Sequence, residues 1–134
     1  MAKIVYYSQT GQTRKFVEKV TGYDSIEITP TNFEFEMTEP FILVMPSYEE
    51  NVHPVVIDTA ADFLETENNL TLCKGLFGGG NLNFGSLFCI TANTLAKDFD
   101  IPLLHEFEFQ GSPTDVKKLE EVLNKIENDY ERSY

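Results

Sequence analysis

The chain has 134 residues, enough for one domain with a substantial core and cramped for two, so a single domain over 1–134 is expected. With 42% hydrophobic and 24% charged residues the composition is that of a folded protein, which argues against disorder. A net charge of −12 repels a phosphate backbone and so argues against nucleic-acid binding, and no stretch approaches the roughly 20 apolar residues of a membrane span.

The opening Met1-Ala2-Lys3-Ile4-Val5 enters a strand without the layout of a secretory signal, so a cytoplasmic location is expected. Ile4 to Tyr7 forms that first strand, and a polar loop follows before a helical pattern carrying Phe16, Val17 and Val20. Ser25 to Thr29 alternates with period two, as in a second strand near a sheet edge. Between Pro30 and Pro40 the sequence is polar and acidic, a loop or an extra extended piece. Phe41 to Met45 is a continuous apolar run between prolines, the pattern of a strand buried on both faces.

Pro54 can open a helix whose apolar face is Ile57, Ala60, Ala61 and Leu64. Leu72 to Phe77 supplies a fourth strand, Gly78 to Gly80 a glycine-rich turn, and Phe88, Ala92, Leu95 and Phe99 a further helical stripe. In the fifth strand, Leu103 to Phe109, the residues Leu103, Phe107 and Phe109 alternate with Glu106 and Glu108, which predicts an edge strand with one wet face. Ser112-Pro113-Thr114-Asp115 has the residues of a helix start, and Val116, Leu119, Leu123, Ile126 and Tyr130 continue as an apolar stripe. Cys73 and Cys89 form neither a C-x-x-C pair nor a zinc set, so both are expected to be reduced core residues and no metal is expected.

Five strands alternating with four helices imply an α/β doubly wound parallel sheet with helices on both faces, because parallel strands require crossovers. In the order 2-1-3-4-5 the winding reverses between the first and third strands, and ligands bind there, outside the carboxyl ends. Three loops reach that crevice. Ser8-Gln9-Thr10-Gly11-Gln12-Thr13 offers hydroxyls, a flexible glycine and the positive end of a helix to an anion, without a lysine or arginine; the alternative is that Thr10 or Thr13 only caps the helix. In Ser47-Tyr48-Glu49-Glu50-Asn51-Val52-His53, Tyr48 can stack on a flat heterocycle or be an ordinary loop tyrosine. Gly78 to Gly85 includes Asn81 and Asn83, which can read the edge of a ring or simply adopt left-handed turn conformations.

Competing phosphate folds lack their residues. No glycine is followed by Lys-Ser/Thr as a Walker loop demands, and Asn83 stands where the third glycine of a dinucleotide fingerprint belongs. A receiver domain wants an aspartate where Met45-Pro46-Ser47 stands, and neither cysteine has a neighbouring arginine to cradle a phosphate.

The loop Ser8 to Thr13 resembles the phosphate loop of flavodoxins. Gly79-Gly80-Asn81-Leu82-Asn83-Phe84-Gly85, with Phe107-Glu108-Phe109-Gln110-Gly111-Ser112, resembles the NrdI flavodoxins of class Ib ribonucleotide reductase over essentially the whole chain. The resemblance implies FMN, whose reduced form reacts with molecular oxygen to supply superoxide to the radical-generating small subunit of that reductase, with electrons from a separate flavin reductase. Ser8, Gln9, Thr10, Gly11, Gln12 and Thr13 would hold the phosphate, and Tyr48 would flank the ring. Ser47, Glu49 and Asn51 would line one side of the ring, with Gly80, Asn81, Asn83, Phe84 and Gly85 on the other. The chemistry belongs to the flavin, so no catalytic side chain is implied.

Two positions depart from the family pattern: Glu49-Glu50-Asn51-Val52 replaces a segment that is often glycine-rich, and Leu82 replaces the usual arginine. Glu49 or Glu50 close to the ring would disfavour an anionic reduced flavin. The rival functions are a general electron-transfer flavodoxin and a flavin-free interaction domain.

Overall fold

The computed structural model describes residues 1–8, 11–46, 54–81 and 89–132. Their elements, in chain order, are β1 (Lys3–Tyr6), α1 (Gln12–Glu18), β2 (Ser25–Glu27), β3 (Phe41–Met45), α2 (Pro54–Glu65), α3 (Asn69–Leu72), β4 (Cys73–Gly80), α4 (Ile90–Phe99), β5 (Leu103–Glu108) and α5 (Pro113–Arg132). The strands form one five-stranded sheet in the order β2-β1-β3-β4-β5, and every pairing is parallel. The apolar run of β3 is buried throughout and sits at the centre, as its sequence predicts.

Each face of the sheet carries its own core. On one side Val5, Leu43, Met45 and Leu76 pack against Val56, Ala60, Phe63 and Leu64 of α2 and Ala92 and Leu95 of α4. On the other, Ile4, Tyr6, Ile42, Val44 and Phe77 meet Phe16 and Val17 of α1 and Leu119 and Leu123 of α5. Phe16 stacks on Phe107 of β5 with centroids 4.0 Å apart, a contact worth about 1 kcal/mol beyond the area it buries. Cys73 and Cys89 are free, buried thiols, as expected.

The structure corrects four expectations. Gly78 to Gly80 is strand, not turn: Gly78 pairs with Met45 and Glu106, and Gly79 and Gly80 pair with Phe107 and Glu108. Glycine is required at 78 because α4 lies so close that a Cβ there would stand 2.9 Å from the Ala92 Cβ and 3.1 Å from the Cys89 Cβ. Leu72 belongs to the short helix α3, so the described residues hold five helices instead of four, and β4 begins at Cys73. Leu103 and Phe107 do not share a face: the register slips between Leu76 and Phe77, so Leu103 joins the α2/α4 core and Phe107 the α1/α5 core. Phe109 lies beyond the strand, 44% exposed and in a left-handed conformation (φ +52°).

Candidate functional site at the carboxyl rim

Parallel pairing brings the ends of β1, β3, β4 and β5 to one rim. The backbone extends the rim past the strands: Tyr7 N–H donates to the Val44 carbonyl at 3.1 Å, and Phe109 N–H to the Gly80 carbonyl at 3.0 Å. Of the proposed site residues, Ser8, Gly11, Gln12 and Thr13 lie beyond β1, and Gly80 and Asn81 at and just past the end of β4. Gln9, Thr10, Ser47, Tyr48, Glu49, Asn51, Asn83, Phe84 and Gly85 lie outside the described residues, as do Glu50 and Leu82.

The first loop enters α1 through Gly11, whose φ of +91° is the left-handed turn a glycine tolerates without strain. Lys15 N–H donates to the Gly11 carbonyl at 3.0 Å, which closes the first turn. The Arg14 N–H points to the Ser8 Oγ at 3.4 Å, so the hydroxyl that serves the start of this helix comes from Ser8. Thr13 does not cap it. Its side chain is completely buried, and its Oγ1 has no hydrogen-bond partner among the described residues.

A hydroxyl sealed from water without a partner costs about 1–3 kcal/mol, so native folds rarely leave one unless a bound group completes it. Thr13 stands in the first turn of α1, two residues after the glycine turn, and that turn carries no acidic side chain. A neutral hydroxyl there suits an anion acceptor, with the helix end adding its positive partial charge. The donor set therefore fits a phosphate ester of the kind a flavin nucleotide carries.

The cation nearest this loop in the chain is already committed. Arg14 Nη2 lies 2.8 Å from Glu27 Oε2 and 3.0 Å from Oε1, with Nε 3.2 Å from Oε1. The Tyr6 hydroxyl donates to the same Oε1 at 3.3 Å. Burial, reinforced by the Glu27 charge, pushes the Tyr6 phenol above its ordinary range. The sequence gives no sign of this cluster, because Glu27 and Arg14 meet only after the chain crosses from β1 through α1 to β2.

At the other side of the rim a cavity of about 570 Å³ opens beside the end of β5, lined by residues 106–112 and Asp115. Asp115 ties this wall together: Oδ1 lies 2.7 Å from His105 Nε2, while Oδ2 accepts from the Ser112 N–H at 2.8 Å and the Ser112 Oγ at 3.0 Å. Burial works to raise the Asp115 carboxyl, but the Ser112 and His105 bonds outweigh it and hold the group below its ordinary range. The Ser112 Oγ in turn accepts from the Asp115 N–H at 3.3 Å, a reciprocal cap at the start of α5 that the sequence predicts from Ser112 and Asp115.

The thiols are buried, which disfavours their nucleophilic thiolate form. Burial pushes Cys73 up to about 12 and drives Cys89 up as well, and the Cys89 Sγ donates to the Gly78 carbonyl at 3.2 Å. Among the described residues no cluster of His, Cys, Asp or Glu could hold a metal, and no helix is long and apolar enough to cross a membrane.

Sequence comparison places these features in a known context. The profile of the family described as "NrdI Flavodoxin like" matches residues 4–121. The chain is 36% identical over 132 residues to Protein NrdI of Wigglesworthia glossinidia brevipalpis, covering 94% of this chain and 91% of that one. It is 35% identical over 126 residues to Protein NrdI of Chromohalobacter salexigens, covering 92% and 94%. Among solved structures, oxidised Flavodoxin 2 from Bacillus cereus superposes with a TM-score of 0.63 at 16% identity, covering 96% of this chain and 98% of that one. A short-chain flavodoxin associated with a non-canonical PDU bacterial microcompartment gives 0.62 at 14% identity with the same coverage. At these identities the structural likeness speaks for the fold alone.

Proposed function

This chain belongs to the NrdI flavodoxin-like family, whose fold implies a flavin cofactor, and on that premise we propose that it binds FMN and supplies oxidant to the radical-generating subunit of a class Ib ribonucleotide reductase. The observation that supports the FMN assignment is the Thr13 Oγ1 behind the Gly11 turn, buried and without a partner among the described residues, because the phosphate of a flavin nucleotide would give that hydroxyl an acceptor. When bound and reduced, FMN would pass electrons to molecular oxygen and yield superoxide, which the partner subunit uses to form its tyrosyl radical.

The protein's share of this work is position, access and field. Ser8, Gly11, Gln12 and Thr13, with Gln9 and Thr10, hold the phosphate on neutral donors. Ser47, Tyr48, Glu49 and Asn51 flank one side of the ring, and Gly80, Asn81, Asn83, Phe84 and Gly85 the other. Gly80 lets the backbone come close without a side chain in the way. Residues 1–134 act as one flavin-binding domain in this reading, with electrons drawn from a separate flavin reductase in the cytoplasm.

The test is an absorption spectrum of the purified protein during stepwise reduction, followed by rapid mixing with oxygen in the presence of a superoxide trap and the partner subunit. A yellow protein that yields trapped superoxide and raises radical content in the partner is expected. A yellow protein that exchanges electrons with several reductases but yields no superoxide would make it a general electron carrier. A colourless protein that takes up no added FMN would overturn the flavin assignment.

A further inference from the structure

The six residues of the phosphate loop, Ser8 to Thr13, are bracketed in the chain by Tyr6, two positions before the first of them, and by Arg14, directly after the last. Both brackets are held by one carboxylate. Glu27, the last residue of β2, accepts the Tyr6 hydroxyl at 3.3 Å and grips the Arg14 guanidinium through contacts of 2.8, 3.0 and 3.2 Å. Within the loop, Ser8 Oγ meets the Arg14 N–H at 3.4 Å, so the loop's first residue also touches the residue that follows its last. Glu27 and Tyr6 are register partners in the parallel β1/β2 pairing, so the carboxylate that holds both residues comes from the neighbouring strand.

We propose that Glu27, acting through Arg14 and Tyr6, is a positioning residue that holds the two described ends of the phosphate loop, Ser8 and Gly11 to Thr13, and thereby sets the preference for FMN over unphosphorylated riboflavin. The proposal rests on the FMN reading given above. Glu27 and Arg14 touch no part of the flavin in this account. The guanidinium is occupied by its carboxylate partner, and phosphate capture stays with neutral donors whose spacing the pair maintains. Because the pair acts only on the loop's geometry, its loss weakens what the loop holds and leaves the ring's own contacts intact.

The experiment titrates flavin-free full-length protein separately with FMN and with riboflavin, in the wild type, Glu27→Ala, Arg14→Ala and the double variant. Each single variant is expected to bind FMN about fivefold more weakly, the scale of one partly exposed ion pair, with riboflavin affinity within about twofold and the double variant no worse than either single one. Should Glu27→Ala fold poorly, Glu27→Gln keeps the shape and an acceptor for Tyr6, and its FMN loss should fall between wild type and Arg14→Ala. An unchanged FMN-to-riboflavin ratio across the variants overturns the positioning role. Tighter FMN binding by Glu27→Gln overturns it too, because Arg14 would then be a phosphate ligand that Glu27 withholds. A wild type that binds both flavins equally overturns the FMN reading itself.

Discussion

Asn69, beneath the sheet where β4 begins, and Thr13, at the opposite rim, are both polar residues with no exposed surface. Asn69 is fully employed. Its Oδ1 accepts the Met37 N–H at 2.7 Å, and its Nδ2 donates to the carbonyls of Phe35 and Phe63, each at 2.9 Å. Those three bonds fasten the irregular segment before β3 to the end of α2. Thr13 has no such partner among the described residues. The same chemistry, a polar group out of water, is thus matched by partners at one end of the sheet and left unmatched among the described residues at the other.

The contrast breaks most visibly at the lower end. Asn69→Ala strips partners from one N–H and two carbonyls inside the fold, so unfolding free energy in urea should fall by about 3 kcal/mol while FMN affinity of the folded protein stays at the wild-type value. A change in flavin affinity without a loss of stability would place Asn69 in the wrong category.

A smaller effect is expected at Asp115, a rim residue whose partners are all present. Asp115→Asn should cost about 1 kcal/mol near neutral pH, in line with a helix cap and one pairing, again read by urea unfolding. The carboxyl is held below its ordinary value of 3.8, so its stabilisation is complete above that value and is lost as pH falls through the lower folded-state value. The gap between wild type and Asp115→Asn should therefore close on acidification below about pH 4, and a gap that persists into strong acid would deny the Asp115 carboxylate its role.

The parts of this architecture that the sequence announces are those with local causes. Phe41 to Met45 reads as a central strand because both of its faces must be apolar, and Ser112 to Asp115 reads as a helix start because a hydroxyl and an acid there can cap the first turn. The parts that escape it have distant causes. Three consecutive glycines look like a turn until α4 is seen lying on Gly78, and the alternation of β5 misleads because a register slip reassigns Leu103 and Phe107 to different layers. Glu27 carries no motif, since its partners at Tyr6 and Arg14 are brought to it by the crossover. Thr13 is visible as one hydroxyl among several in the loop; only packing shows that it is buried without a partner among the described residues.

That hydroxyl is also where the account is tested most directly. Thr13→Val keeps the shape of the side chain and removes the buried oxygen, and FMN titration beside urea unfolding reads both consequences. FMN should bind about tenfold more weakly, the worth of one hydrogen bond to a charged group, while stability holds or rises slightly because an unsatisfied buried polar atom is gone. Wild-type FMN affinity in Thr13→Val, or a loss of stability like that of Asn69→Ala, would contradict the assignment of this rim to a flavin phosphate.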